Sequence, residues 1–149
     1  MEVHAMEAEV REHISQVPTT EEIYRLIAAV REGASPPDRI AALVLLGESR
    51  DPRAVTLLVE CCTDENAEIR WHAIEALHQV RSVRSVATLM ERLKDRDEDI
   101  AIRKTAALAL ADIKSHHTLE PLIDLSLDTE EDPEIRILVA RMLGRNGKK

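Results

Sequence analysis

The chain has 149 residues, a formal net charge of −8 and 44% apolar residues, with no Phe and a single Trp and Tyr. That length suits one domain with an aliphatic core. The acidic balance argues against nucleic acid, whose binding draws on Lys and Arg at phosphates and on aromatic platforms under bases.

No stretch of about 18 apolar residues marks a membrane span, and the N-terminus has no charged-then-apolar leader pattern. The adjacent Cys61 and Cys62 cannot frame a disulfide network. A cytoplasmic protein with no membrane or nucleic-acid partner is expected.

In chain order, Met1 to Val17 and Thr20 to Glu32 read as two helices separated by Val17-Pro18-Thr19-Thr20. Ile23, Leu26, Ile27 and Val30 give the second an apolar face, with Tyr24 at its edge. Residues 1–37 are set apart from the register that follows and are expected to cap a repeat region over 38–144, all within one domain.

That region is marked by Arg39, Arg70, Arg103 and Arg136, spaced 31, 33 and 33 residues apart. The third residue after each is Ala42, Ala73, Ala106 or Val139. The fourth is Leu43, Ile74, Ala107 or Ala140, and the seventh Leu46, Leu77, Leu110 or Leu143. Offsets of three, four and seven share one helical face, so each arginine opens an amphipathic helix A. A fixed period in this range is the sequence mark of a solenoid.

A helix B recurs in step: Val55, Val86 and Leu119, then Leu58, Leu89 and Leu122, then Val59, Met90 and Ile123. Ser35-Pro36 and Asp51-Pro52 supply N-caps with proline at the first helical position. Pro121 is expected to delay or bend the third helix B.

Asp64, Asp97 and Glu130 lie six residues before Arg70, Arg103 and Arg136. They read as a ladder of acid–arginine pairs tying each turn to its neighbour. The last helix A has no helix B after it and carries Leu138 and Met142 where earlier copies have His72 and Ala76 or Thr105 and Ala109. These two residues either fold back onto the third helix B, the favoured reading, or form a weak self-association contact between chains.

Chemistry-bearing motifs are sparse. The six histidines (His4, His13, His72, His78, His116 and His117) have no zinc spacing. Four glycines build no phosphate loop. Cys62 falls in a core column, whereas Cys61 is expected to be partly exposed. No cofactor, metal or catalytic residue is expected.

The outer faces of the B helices carry a pattern instead. Arg53, Arg84 and His117 form a basic column, and Glu60, Glu91 and Asp124 an acidic one seven residues on. Seven residues is nearly two turns, so the columns share a face. Leu57, Thr88 and Pro121 are expected as a neutral row between them. The order opposes the helix dipole, so local helix stability does not explain it.

The phrases Asp64-Glu-Asn-Ala-Glu-Ile-Arg-Trp-His-Ala-Ile-Glu-Ala-Leu77 and Glu134-Ile-Arg-Ile-Leu-Val-Ala-Arg-Met-Leu-Gly144 resemble HEAT-like repeats, and the short period looks like the phycobilisome-lyase subtype. The resemblance implies an all-α, right-handed α-solenoid of antiparallel helix pairs, with the B helices lining its concave side. It implies a noncatalytic scaffold or adaptor binding another protein there. The alternative is a bilin lyase-type or accessory enzyme. A di-iron hydroxylase of similar fold would need His-Glu pairs at the starts of its A helices, and the chain has none.

Overall fold

The computed structural model describes residues 17–33 and 35–146. The helix expected over residues 1–17 therefore lies, apart from an exposed, non-helical Val17, outside the described residues, as do His4 and His13. Eight α-helices follow: α1 (Thr20–Glu32), α2 (Pro36–Ser49), α3 (Val55–Cys61), α4 (Ala67–Val80), α5 (Val86–Lys94), α6 (Ile100–Ile113), α7 (Leu119–Leu127) and α8 (Pro133–Asn146). Short 3₁₀ turns over Pro52–Ala54, Val83–Ser85 and His116–Thr118 lead into α3, α5 and α7. The described residues contain no strand, and none of their helices is long and apolar enough to cross a membrane.

Each odd-numbered helix packs on the even-numbered helix after it, and α2, α4 and α6 lie side by side in a row that α8 joins through a lighter contact. The chain is an α-solenoid of four helix pairs with three joints between them. Helices this short are marginal alone, so burial at the joints holds the stack together. Ala42, Ala73, Ala106 and Val139 are fully buried, as are Leu43, Ile74 and Ala107. The α2–α4 contact is close at Gly47, where an added Cβ would stand 2.9 Å from the Ala76 Cα. Only glycine permits that approach.

Three expectations need correction. First, α1 is in register and not a separate cap. Its Ile23, Leu26, Ile27 and Val30 repeat the spacing of Val86, Leu89, Met90 and Leu93 in α5. The Val30 carbonyl accepts from Arg39 Nε at 2.9 Å, just as the Leu93 carbonyl accepts from Arg103 Nε at 2.9 Å.

Second, α8 is not a lone helix: it pairs with α7 as α6 pairs with α5. Met142 is buried and Leu138 partly buried against the chain's own core. The fold-back reading holds, and Met142 is not open to a second chain. Third, Pro121 does not delay its helix. α7 begins at Leu119, in step with Val55 and Val86, because the first turn of a helix has N–H groups without an intrahelical acceptor and loses nothing to proline there.

The arginine ladder exists, but with different acids. Arg39 reaches Asp64 at 2.7 Å, Arg70 reaches Glu98 at 2.8 Å and Arg103 reaches Glu131 at 2.7 Å. Each bond runs from an even-numbered helix to the turn inside the next pair, so each joint carries one. Asp97 and Glu130 stay exposed.

The two inserted residues explain the difference. Asp64, Asp95 and Asp128 are equivalent, each accepting from the backbone N–H two residues on. In the short turn Asp64 also takes the arginine. In the longer turns the insertion brings in Glu98 and Glu131, which sit next to the helix caps Asp99 and Asp132 and accept from their N–H groups.

Burial deepens along the ladder, from the partly buried Arg39–Asp64 pair to the sealed Arg103–Glu131 pair. The Arg103 and Glu131 side chains are 4% and 2% exposed. Burial alone would push the Glu98 carboxyl up, but bonds from Arg70, the Asp99 N–H and Arg92 hold it below the ordinary glutamate range. At Glu131 the Arg103 bond dominates and its pKa is likewise lowered.

Candidate partner-binding face

The exposed side of α3, α5 and α7 is set up by a turn repeated three times. Arg50, Arg81 and Lys114 each adopt a left-handed backbone, with φ of 54°, 57° and 52°. The next residues, Asp51, Ser82 and Ser115, accept from the N–H groups of Arg53, Arg84 and His117 and start the 3₁₀ turns. That places the basic column at the mouth of each helix, exposed in all three copies. Glu60, Glu91 and Asp124 are exposed as well.

The row between them differs from expectation. Leu57 is a core residue at 3% exposure, and Thr88 and Pro121 are half-buried. The exposed row is Thr56, Ala87 and Glu120. The cause is the 3₁₀ turn, which completes a revolution in three residues and so eclipses i with i+3. Arg53 therefore stands over Thr56, where a continuous α-helix would have brought Leu57 nearer the face. The three units read Arg53–Thr56–Glu60, Arg84–Ala87–Glu91 and His117–Glu120–Asp124, growing more acidic toward α7.

The charges differ in how far they are engaged. Arg53 is clamped by Asp51, through bonds of 3.0 Å from Nε and 2.6 Å from Nη2, and donates to Thr20 Oγ1 at 2.6 Å. The Arg53 bond holds the Asp51 carboxyl below its usual range. Arg84 reaches Thr56 Oγ1 at 3.4 Å, and Glu60 meets Arg31 at 3.5 Å. Among the described residues Glu91 and Asp124 have no ion-pair partner. Asp124 lies in a shallow cleft of about 260 Å³ shared with Lys94, Glu120, Pro121, Leu125 and Asp128.

The thiols lie away from this face. Cys61 is buried, not partly exposed, and Cys62 is fully buried with its Sγ 3.3 Å from the Leu58 carbonyl. Burial raises the pKa of both thiols, that of Cys62 to about 12. Among the described residues no group of His, Cys, Asp and Glu is placed to hold a metal ion. What this face can do is form complementary charge contacts.

The family description that matches the chain is that of HEAT repeats, over residues 23–101, from within α1 to the start of α6. The chain belongs to the HEAT-repeat family. The match begins where the structure places the first in-register helix, in agreement with α1 as part of the repeat array. HEAT repeats commonly mediate protein–protein interaction. Comparison with curated proteins returns no match. Two groups of residues carried signals that spacing alone obscured. The dipeptides Glu98-Asp99 and Glu131-Asp132 recur 33 residues apart and mark the ladder acids. Arg50, Arg81 and Lys114 recur at the repeat period and mark the left-handed turn residues.

Proposed function

We propose that this HEAT-repeat protein is a noncatalytic, cytoplasmic scaffold or adaptor that binds another protein on the face of α3, α5 and α7, the concave side in stacks of this family. The observation that carries the reading is the exposure of both charged columns in all three units, with Glu91 and Asp124 unpaired among the described residues. Charge placed against the helix dipole costs the fold a little and is accounted for by a partner of opposite pattern. Such a partner lays cationic side chains along Glu60, Glu91 and Asp124. The buried, protonated thiols favour a binding role over a thiol-based one.

The test is a triple charge reversal, Glu60→Lys, Glu91→Lys and Asp124→Lys. Native lysate is passed over the wild-type and variant chains, and captured proteins are read by mass spectrometry. The expected outcome is a partner held by the wild type and lost by the variant, with the same helical circular dichroism for both. A partner held equally by both would place binding elsewhere.

A further inference from the structure

The outward face of α7/α8 is built as half of a joint. In the pairs before it, the next pair covers equivalent positions. Val55 and Met90 are 1% and 9% exposed and Val59 and Val86 are half-buried, whereas Leu119 and Ile123, in the same two columns of α7, are 54% and 40% exposed. Leu127, where α3 and α5 are followed by Thr63 and end in Lys94, extends this apolar stripe by a turn. On α8, Ala140 is exposed where Leu43, Ile74 and Ala107 are fully buried. The ladder stops here too. Arg39, Arg70 and Arg103 each hold a carboxylate from the turn of the next pair, while Arg136 has none among the described residues; its buried Nε, which donates to a carbonyl of the same pair in Arg39 and Arg103 and to Glu98 in Arg70, has no hydrogen-bond partner there.

We infer that this end of the stack docks a helical hairpin of another protein, one with an apolar first helix and a carboxylate in the turn between its helices. The apolar face covers Leu119 and Ile123, and the carboxylate takes Arg136. The chemistry of the occupant follows from the three joints inside the chain, each made of these same two elements. A second copy of the chain fits less well, because its ladder acids Asp64, Glu98 and Glu131 are already bonded to its own arginines. On α7 this stripe borders the charged face proposed above, because Glu120, Ile123, Asp124 and Leu127 lie at offsets of three, four and seven; Arg136 on α8 is not part of that face, so the Glu98→Gln arm of the test below separates the two readings.

The probe is a fluorescent synthetic peptide of Val83–Ile113, the third hairpin of this chain with Glu98 in its turn, held helical by lactam staples at solvent-exposed positions because such helices are marginal alone, then titrated with the full chain and read by anisotropy. Saturable binding is expected. It should weaken at least about tenfold when the peptide carries Glu98→Gln, the loss of one charge-assisted hydrogen bond. It should disappear with Ile123→Glu in the full chain, and with Leu127→Glu, whose 70% exposure makes it harmless to the fold. Absence of saturable binding overturns the inference. So does binding indifferent to these substitutions, or a dimer of the full chain, seen by sedimentation, that Leu127→Glu dissociates.

Discussion

The α5/α6–α7/α8 joint and the outer side of α7/α8 are made from equivalent columns of the repeat but differ in what covers them. At the joint, Arg103 bridges to Glu131 with both side chains nearly sealed from solvent. At the outer side, Arg136 occupies the same repeat position with no carboxylate among the described residues, and the apolar column beside it is open. One repeat word therefore has two energetic meanings, set by whether a neighbour is present. In a linear array, stability is close to a sum of such neighbour terms, so the arginine column is a direct probe of joint formation.

The largest expected effect tests this directly. Arg103→Met removes one partner of a buried ion pair and leaves Glu131 with the Asp132 N–H and, as its remaining cation, the longer contact to Arg96 at 3.8 Å. Uncompensated charges of this kind cost about 3–5 kcal/mol. Arg136→Met removes an equivalent residue that strands no carboxylate among the described residues, and should change stability by no more than about 0.5 kcal/mol. Urea unfolding of the two variants beside wild type measures both. Equal losses would show that the arginine contributes to its own helix and not to the joint.

The fold was legible in the sequence to the extent that it rests on helical periodicity. The arginine spacing and the offsets of three, four and seven placed α2, α4, α6 and α8 and their buried faces. The same periodicity misplaced Leu57, because the 3₁₀ entry to α3 changes the angular step and nothing in the residue pattern announces that change. The ladder was half legible. An acid–arginine relation was visible, but counting a fixed distance selected Asp97 and Glu130, whereas side-chain length and the inserted residues select Glu98 and Glu131. The charged columns could be read directly, since exposed positions need no packing partner. The open end of α7/α8 could not, because burial depends on a neighbour that periodicity does not describe.

A pH series sharpens the comparison between joints, with a smaller effect. Glu98 and Glu131 have folded pKa values below the ordinary glutamate value of 4.5, so the folded chain binds fewer protons than the unfolded one in the acid range. Their contribution is complete above about pH 4.5 and declines as the pH falls through the folded values. Wild type should therefore lose stability on acidification from pH 7 to pH 3. The advantage of wild type over Arg103→Met should narrow over the same interval. An advantage independent of pH would mean that Arg103 stabilises the joint by packing its methylene stem, not by holding a carboxylate.

The smallest effect concerns the turns that separate the joints. Arg50, Arg81 and Lys114 hold left-handed backbone that a β-carbon disfavours by about 1–2 kcal/mol. Glycine removes that cost but adds unfolded-state entropy of roughly 0.5–1 kcal/mol, so Arg81→Gly should stabilise by about 0.5–1 kcal/mol. The contact of Arg81 with Asp112, 3.9 Å long and largely exposed, is a minor loss by comparison. The prediction also separates two reasons for a basic residue in this column. If the residue only terminates a helix whose carbonyl end favours positive charge, Arg81→Gly should be neutral or slightly destabilising. If backbone geometry dominates, it stabilises, and Arg50→Gly and Lys114→Gly should do the same. Thermal unfolding of the three single variants decides between these readings, because the geometric cost is common to all three while the side-chain contacts are not.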